Sequence, residues 1–354
     1  MQQIFRKRRL FMNRHFARRV LTAVMAAILV VTMGAAALTL AADHEHVFVD
    51  GICTECGKYE APFITRIPLK EKYTKAIEET GTLETIDYMT PLYGIDESQE
   101  MEKHLQVYLP YGYDESQQYN VMYIMHGGGE SEYYWLNDTP VYEGTKAMGK
   151  TTKGMIDNMV KDGKMEPTIF VAPTSLAPKG LEEGEGEGEG ESRGAGYDFG
   201  KEFREVIVPL VEAKYSTYCA GDVSEENLIA TRDHRGFGGF SMGSACTINQ
   251  IMMKNLDIVS WFGAWSGGGA PIEEFKAAID SFGPDMNINY MYNGNGTSDF
   301  ALEGHQELYN GILEQMGDKF QDGKNLCWIC FKGGSHAYNC WIVDLYNCML
   351  VFFK

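Results

Sequence analysis

The stretch Arg235-Gly-Phe-Gly-Gly-Phe-Ser-Met-Gly-Ser244 decides the fold of this chain. Within it, residues 239–243 fit G-x-S-x-G, the pattern in which a serine occupies a strained turn between a strand and a helix. Glycine is needed on both sides because the turn brings backbone segments together, where a Cβ would clash. The residues before Ser241, including 227–230, predict strand, and 245–253 predict a buried helix. The stretch therefore predicts a nucleophile elbow with Ser241 as the nucleophile.

Apolar runs on either side of this elbow predict further strands, and helical patterns separate most of them. The runs typical of buried strands are 120–125, 168–173, 259–266, 288–293 and 326–331. Two alternating segments, 82–89 and 103–110, predict antiparallel strands at one side of the sheet. Polar loops follow the buried runs, at the ends where active sites of open α/β sheets lie. The expected fold is α/β, with a mostly parallel central sheet flanked by helices.

Length and charge limit the classes of protein to which this chain can belong. Its 354 residues suit one large catalytic domain, which we expect over 61–354, with additions before it. The formal net charge is −18. A strongly acidic surface repels nucleic acid and anionic lipid, so neither is an expected partner.

The first 42 residues are typical of an export signal. Seven lysines and arginines precede an almost unbroken apolar run over 20–42, and no acidic residue interrupts either part. The run is also long enough to span a bilayer, so an uncleaved anchor is the alternative and the only expected membrane contact. Small residues at Thr39, Ala41 and Ala42 favour cleavage. We therefore expect a secreted or cell-surface protein.

Residues 43–60 carry four potential metal ligands, His44, His46, Cys53 and Cys56. Two imidazoles and two thiolates suit a tetrahedral structural zinc site, so this segment is a possible zinc-binding microdomain. The alternative is a flexible linker whose cysteines are free or form a small disulfide ring. Under either interpretation the segment is remote from the elbow in sequence and has no expected catalytic role.

A low-complexity segment over 180–196 alternates glutamate with glycine along most of its length. It cannot bury apolar surface, and alternate glycines leave it too floppy to hold calcium well. We expect a mobile, solvated loop within the catalytic domain.

An elbow serine needs a histidine base and a carboxylate that holds the tautomer of that base. In hydrolases built on this elbow, the acid and then the histidine follow the serine along the chain. Of the two histidines after Ser241, His336 lies in a glycine-rich loop after a predicted strand, whereas His305 lies at a predicted helix start. Asp299 also follows a predicted strand and is the expected acid, with Glu303 as the alternative.

The loop after the predicted strand 120–125 begins His126-Gly-Gly-Gly. In elbow hydrolases, an HGGG-type loop offers one backbone N–H of the oxyanion hole, and the residue after the serine offers the other. Met242 and either Gly127 or Gly128 are therefore the expected oxyanion donors. The alternative is a glycine-rich loop with a purely steric purpose.

Five ordered motifs within about 100–354 are similar to the esterase D-related carbohydrate esterases, which include feruloyl and acetyl-xylan esterases. These motifs lie at 105–113, 125–129 with the region of residue 135, 235–243, 296–299 and 333–341. The resemblance implies an α/β-hydrolase fold, no cofactor for catalysis, and a triad of Ser241, Asp299 and His336.

The expected function is that of an exported serine esterase acting on feruloyl or acetyl esters of plant cell-wall xylan. Tyr134, Trp135 and Trp265 lie in or beside loops at strand ends, where aromatic faces could stack on a phenolic ring or a sugar. Ordinary core packing is the alternative for these three residues. Other functions left open are a general short-chain acyl esterase, an acyltransferase, and a non-catalytic surface glycan-binding protein on a hydrolase scaffold.

Overall fold

The computed structural model describes residues 67–175 and 196–354, together with the backbone of two short strands before residue 54. Three sequence predictions fall on residues outside this description. They are the export segment 1–42, the ligand side chains of His44, His46, Cys53 and Cys56, and most of the Glu/Gly-rich loop 180–196. Within the described residues, no helix is long and apolar enough to cross a bilayer.

The chain divides into two units, Met1–Glu60 and Ala61–Lys354. In the first unit, strand β1 (Phe48–Val49) pairs antiparallel with strand β2 (Ile52–Cys53). In this pairing Phe48 lies opposite Cys53, which is one of the predicted cysteine ligands.

An eight-stranded sheet is the centre of the second unit. Its strands are β3 (Thr82–Leu92), β4 (Asp96–Leu109), β5 (Asn120–Met125), β6 (Thr168–Ala172), β7 (Arg235–Phe240), β8 (Trp261–Trp265), β9 (Tyr290–Gly296) and β10 (Leu326–Phe331). In space they follow the order β10-β9-β8-β7-β5-β6-β4-β3. The six strands from β10 to β6 are parallel, and β4 and β3 pair antiparallel at one side. The predicted mostly parallel sheet is confirmed.

Burial patterns explain why these residues form these strands. Every residue of β5, β6 and β7 is buried, as expected of parallel strands covered on both faces. The outermost strand, β3, instead alternates buried and exposed residues along its second half. That alternation is typical of an antiparallel strand with one solvated face.

Helices cover both faces of the sheet. The described α-helices are α1 (Gly149–Lys161), α2 (Phe199–Glu202), α3 (Val208–Lys214), α4 (Glu225–Ala230), α5 (Met242–Cys246), α6 (Met253–Asn255), α7 (Ile272–Ser281), α8 (Leu302–Gln315) and α9 (Tyr338–Met349). Phe203, in the π-helical turn between α2 and α3, packs on Phe237, whereas Trp341 in α9 stacks on Phe240. Because residues three apart on a strand point to opposite faces, these helices lie on opposite sides of β7.

The prediction of strand over 227–230 is wrong, because these residues form part of α4. Glu225 and Glu226 occupy its first turn, where negative side chains interact favourably with the helix dipole. Only Leu228 is buried on this short helix, and Ile229 is exposed. A short apolar run alone does not distinguish a strand from one turn of helix packed on one side.

The order of the strands locates a crevice at their carboxyl ends. From β5 the chain crosses to β6 on one side, and from β7 it crosses to β8 on the other side. The neighbouring strands β5 and β7 therefore flank the point at which the strand order reverses. Ligands of open α/β sheets bind outside the carboxyl ends of strands at such a point. The elbow follows β7, and the glycine-rich loop follows β5.

Candidate active site

Ser241 occupies a strained turn between β7 and α5. Its backbone has φ 55° and ψ −119°, a conformation that costs a non-glycine residue on the order of 1–3 kcal/mol. A Cβ built on Gly239 would lie 2.8 Å from the backbone of Gly243. A Cβ on Gly243 would lie 2.5 Å from the carbonyl oxygen of His126. The predicted strand–turn–helix is present, and its glycines are required by close backbone approach.

Backbone hydrogen bonds hold the strained turn in place. The N–H of Ser241 donates to the carbonyl of Trp265 at 2.9 Å. The carbonyl of Ser241 accepts from the N–H groups of Ser244 and Ala245 at 3.0 and 3.1 Å. The serine side chain is half-buried at the start of α5. The turn is thus fixed by β8 on one side and by its own helix on the other.

His336 and Asp299 lie together on neighbouring loops. His336 Nδ1 is 2.9 Å from Asp299 Oδ1, and the N–H of Ala301 donates to the same oxygen at 2.9 Å. Burial raises the pKa of Asp299, but the hydrogen bonds from His336, Ser266 and Ala301 outweigh it, so the pKa lies below its usual value. An ionised Asp299 holds the proton of His336 on Nδ1 and leaves Nε2 free to act as a base.

Ser241 makes no hydrogen bond to His336 among the described residues. Trp341 contacts both His336 and Phe240, the residue before Ser241. The indole ring stacks on Phe240 with centroids 3.8 Å apart and packs edge-on against His336 at 5.1 Å. Its Nε1–H donates to Ser266 Oγ at 2.8 Å. Catalytic hydrogen bonds are often long in ligand-free sites and tighten when substrate binds.

The two alternative titratable residues occupy different surroundings. Glu303 is exposed in the first turn of α8. His305 is completely buried, with its ring nitrogens 3.0 Å from Asn295 Nδ2 and 3.1 Å from Asn293 Oδ1. Burial lowers the pKa of His305 to about 3. His305 is therefore a neutral histidine inside the core, and Asp299 is the carboxylate that contacts His336.

The backbone N–H groups of Met242, Gly127 and Gly128 have no acceptor among the described residues. Met242 is the first residue of α5, and the first N–H groups of a helix have no partner within it. A Cβ on Gly128 would lie 3.3 Å from Met242 Sδ, so the glycine-rich loop and the elbow are in close proximity. The sequence prediction of paired donors is compatible with this arrangement.

His126 fixes the glycine-rich loop from inside the protein. Its Nδ1 is 2.8 Å from the carbonyl of Gly127, and its Nε2 is 2.8 Å from Thr174 Oγ1. A carbonyl only accepts, so Nδ1 carries the proton and the Thr174 hydroxyl donates to Nε2. Burial lowers the pKa of His126 to about 4, which keeps the ring neutral.

A buried ion pair supports this loop in turn. Lys103 Nζ donates to the carbonyl of Thr174 and to Glu202 Oε2, both at 2.7 Å. Tyr88 donates to the other oxygen of Glu202 at 2.8 Å. Both charged side chains are almost completely buried. A continuous set of hydrogen bonds therefore runs from Glu202 through Lys103 and Thr174 to His126.

The three aromatic residues predicted to bind substrate lie in the core instead. Trp135 and Trp265 have no exposed surface, and Tyr134 is 1% exposed. Trp135 Nε1 donates to the carbonyl of Met125 at 3.0 Å, and its ring packs against Trp265 at 5.9 Å. The prediction is wrong because the three rings pack in one buried cluster with Phe240. Buried side chains of this kind have no free face on which a ligand could stack.

Sequence reasoning missed two aromatic residues that contact His336. One is Trp341, and the other is Phe300, which is 81% exposed with its ring centroid 4.2 Å from that of His336. Their positions in the sequence could have indicated both residues. Phe300 follows Asp299 directly, and Trp341 lies in the first turn or so of the helix that follows His336. No group of three or more His, Cys, Asp or Glu residues suited to a metal occurs in the described part of the chain.

The second unit has the fold of the α/β-hydrolases. No family model matches the sequence. The chain is 32% identical over 252 residues to endo-1,4-beta-xylanase Y of Acetivibrio thermocellus, covering 69% of this chain and 20% of that protein. It is 28% identical over 176 residues to an endo-1,4-beta-xylanase/feruloyl esterase of Xylanibacter ruminicola. That match covers 48% of this chain and 20% of that protein. The chain thus spans about a fifth of the length of these curated relatives.

A solved structure resembles most of the chain. A mutant of the feruloyl esterase module from Clostridium thermocellum, complexed with sinapinate, superposes with a TM-score of 0.66 at 27% identity. The match covers 82% of this chain and 95% of that module. These similarities confirm the predicted resemblance to the carbohydrate esterases that include feruloyl esterases.

Proposed function

We propose that the protein is a serine carboxylic ester hydrolase. His336 Nε2 takes the proton of Ser241 Oγ as that oxygen attacks the ester carbonyl, and the N–H of Met242 and of Gly127 or Gly128 bind the resulting oxyanion. His336 then passes the proton to the alcohol oxygen as the ester C–O bond breaks. His336 then takes a proton from water as the water oxygen attacks the acyl-enzyme, and returns that proton to Ser241 Oγ as the acyl–oxygen bond breaks.

The observation that carries this proposal is the short contact between His336 Nδ1 and Asp299 Oδ1 beside a strained serine. Asp299 stabilises the imidazolium that forms during attack, because its side chain is fully buried and its pKa is lowered. A glycan-binding protein without activity has no use for this contact or for the strain at Ser241. The geometry therefore favours catalysis over the non-catalytic alternative.

Of the two glycines, Gly128 is the favoured second oxyanion donor. The Gly127 carbonyl faces the His126 ring at 2.8 Å, and a trans peptide directs the following N–H the opposite way. That N–H belongs to Gly128. A Cβ built on Gly128 would lie 3.3 Å from Met242 Sδ, so this residue is next to the elbow. Each such donor lowers the barrier by about 3 kcal/mol in related mechanisms.

The proposed substrate is an ester on plant cell-wall polysaccharide, with feruloyl preferred over acetyl. Support comes from two of the similar proteins. The solved module is named a feruloyl esterase, and the Xylanibacter ruminicola protein is named both a xylanase and a feruloyl esterase. Exposed Met242, one of the proposed oxyanion donors, gives the acyl side of the site an apolar edge, which suits an aromatic acyl group. A short-chain acyl esterase or an acyltransferase would use the same Ser241 chemistry.

A side-by-side comparison of substrates tests this assignment. We expect higher kcat/KM on methyl ferulate than on acetylated xylan, measurable cleavage of p-nitrophenyl acetate, and negligible release from long-chain triglycerides. Transfer to added alcohols, measured as new ester product, would indicate an acyltransferase. Cleavage of the small p-nitrophenyl esters alone would remove the cell-wall assignment and retain the esterase. No cleavage of any ester by correctly folded protein would refute the proposed function.

We also propose that residues 1–42 export the protein, with cleavage near residue 42. A signal that is removed places the enzyme outside the cell, where polysaccharide esters occur. N-terminal sequencing of protein recovered from the culture medium should begin close to Asp43. Recovery of the intact chain from membranes alone would favour the uncleaved anchor.

A structural zinc ion is proposed for His44, His46, Cys53 and Cys56. Two imidazoles and two thiolates suit tetrahedral zinc, and the pairing of β1 with β2 brings Cys53 opposite Phe48, two residues after His46. Reduced protein without the export segment should contain about one zinc per chain by elemental analysis. Deletion of residues 43–60 should remove the metal and leave the rate on methyl ferulate unchanged.

A further inference from the structure

Phe300 is the most exposed large apolar side chain in the described part of the chain. It is 81% exposed, whereas the next, Tyr111, is 58% exposed. Burying a phenylalanine side chain contributes about 1.5–3 kcal/mol to the free energy of unfolding, and an exposed phenylalanine lacks this contribution. A single exposed apolar residue is ordinary on a protein surface. The location of this one, against the proposed catalytic base, is what distinguishes it.

Hydrogen bonds between two loops fix the position of Phe300. The N–H of Ser298 donates to the carbonyl of Gly334 at 2.8 Å, and the N–H of Thr297 donates to that of Phe331 at 3.1 Å. These bonds join the segment before Phe300 to the loop that carries His336. The Phe300 ring lies 4.2 Å from the imidazole, tilted by 35°. Most of the phenyl surface stays open to solvent while its position is held.

The chemistry of the reaction decides which part of a substrate would meet this surface. His336 must deliver its proton to the alcohol oxygen, so the alcohol part of the ester must lie next to the imidazole when the C–O bond breaks. The acyl carbonyl instead faces Met242 and Gly128, the proposed oxyanion donors. A side chain that contacts His336 therefore borders the alcohol moiety rather than the acyl group.

We propose that Phe300 is a binding platform for the sugar ring that carries the ester, an inference that rests on the proposed esterase function. The faces of aromatic rings are electron-rich, so they attract the polarised C–H groups of a sugar ring. Exposed hydroxyl side chains nearby, those of Ser298 and Ser335, can exchange hydrogen bonds with the hydroxyls of that sugar. The subsite is thus selective for a neutral glycosyl alcohol.

Two esters with the same acyl group and different alcohols isolate this subsite. Methyl ferulate has no sugar, whereas a feruloylated arabino-oligosaccharide has a sugar at the position of the methyl group. Phe300→Ala should raise KM about tenfold on the oligosaccharide ester, about 1.4 kcal/mol of binding, and change kcat/KM on methyl ferulate less than about twofold. Phe300→Tyr, which keeps the ring, should restore KM. The pair p-nitrophenyl acetate and acetylated xylo-oligosaccharide repeats the test with an acetyl group.

Tyr111→Ala is the matched control. β4 runs antiparallel to β6 with Tyr108 opposite Phe170, so Tyr111 lies past the amino end of β6, away from the carboxyl ends that hold the site. Removal of this exposed aromatic should leave KM unchanged for both esters. All variants should have the wild-type melting temperature, because neither side chain is buried.

Three results would overturn the inference. Equal losses on both esters in Phe300→Ala would show that Phe300 orients His336 and does not bind sugar. An unchanged KM on the oligosaccharide, with normal hydrolysis of methyl ferulate, would remove the subsite and leave the esterase intact. Failure of the wild-type protein on all four esters would remove both the esterase function and the subsite.

Discussion

The two ends of β7 differ in how their polar groups are satisfied. At the carboxyl end, Ser241 is strained, and Met242 has an N–H without an acceptor among the described residues. At the amino end, Arg235 is 1% exposed and forms an ion pair with the equally buried Glu212. Only the five residues 236–240 lie between Arg235 and Ser241.

The amino end is a closed network. Arg235 donates to both carboxylate oxygens of Glu212, to the carbonyls of Leu228 and Ile258, and to Thr231 Oγ1 at 2.8 Å. A buried charge is tolerated only when its hydrogen-bonding capacity is met in this way. The carboxyl end leaves donors unpaired and a backbone strained, which costs stability; in the proposed mechanism these donors bind the negative charge that develops on the ester oxygen. The proposed reactive groups thus lie at one end of the sheet, and a fully hydrogen-bonded buried ion pair lies at the other.

The largest expected effect follows from Ser241→Ala. Loss of the nucleophile should reduce kcat on p-nitrophenyl acetate by a factor on the order of 10⁶. The melting temperature should stay at the wild-type value, because the side-chain hydroxyl makes no hydrogen bond among the described residues. Near-normal activity of the purified variant would refute the serine mechanism.

The second largest effect should come from Asp299→Asn. An amide at this position can donate to His336 Nδ1 and favour the wrong tautomer, with an expected loss of about 10⁴ in kcat. Glu303→Gln is the matched control, since Glu303 is exposed on α8, and it should change kcat less than about twofold. The opposite ranking of the two variants would transfer the acid role to Glu303.

A pair of threonine variants compares the two ends directly. Thr174→Val removes the hydroxyl that donates to His126 Nε2, so the glycine-rich loop loses its anchor and kcat should fall about tenfold with little change in KM. Thr231→Val removes a contact of Arg235 at the amino end and should lower stability by about 1–3 kcal/mol without changing kcat. Denaturant titration and steady-state kinetics measure both quantities. Equal effects of the two variants on kcat would contradict the proposed division of roles.

The smallest effect on catalysis should come from Glu212→Gln. Breaking this buried ion pair leaves Arg235 without its counter-charge and should destabilise the protein by about 3–5 kcal/mol. The activity per folded molecule, obtained from the activity and the folded fraction at the same temperature, should equal that of the wild type. A selective loss of kcat in fully folded protein would show that the amino end also affects the reaction.

The sequence predicts the reactive end in more detail than its surroundings. The elbow is specified locally, because glycines two residues on either side of Ser241 are required by contacts within the turn itself. The carboxylate and the histidine follow from chain order and from their positions after strands. Burial of Trp135 could not be predicted, because it depends on packing of this residue against Phe240 and Trp265, which are remote in sequence.

Two other features depended on packing between remote segments. Residues 225–230 form a helix because Leu228 packs on one side, which an apolar run of this length does not reveal. The Lys103–Glu202 pair joins β4 to α2 across 99 residues, and no local pattern in the sequence indicates such a partner. The sequence therefore predicts motifs set by local backbone geometry and misses contacts set by tertiary structure.

Covalent labelling tests the central claim most directly. A fluorophosphonate reacts with an activated serine and stays attached, so intact-mass and peptide mass spectrometry report both stoichiometry and position. We predict one adduct per chain, located on Ser241, with much slower labelling in Asp299→Asn and none in Ser241→Ala. An adduct on another residue, or no adduct on protein that hydrolyses esters, would contradict the assignment of Ser241 as the nucleophile.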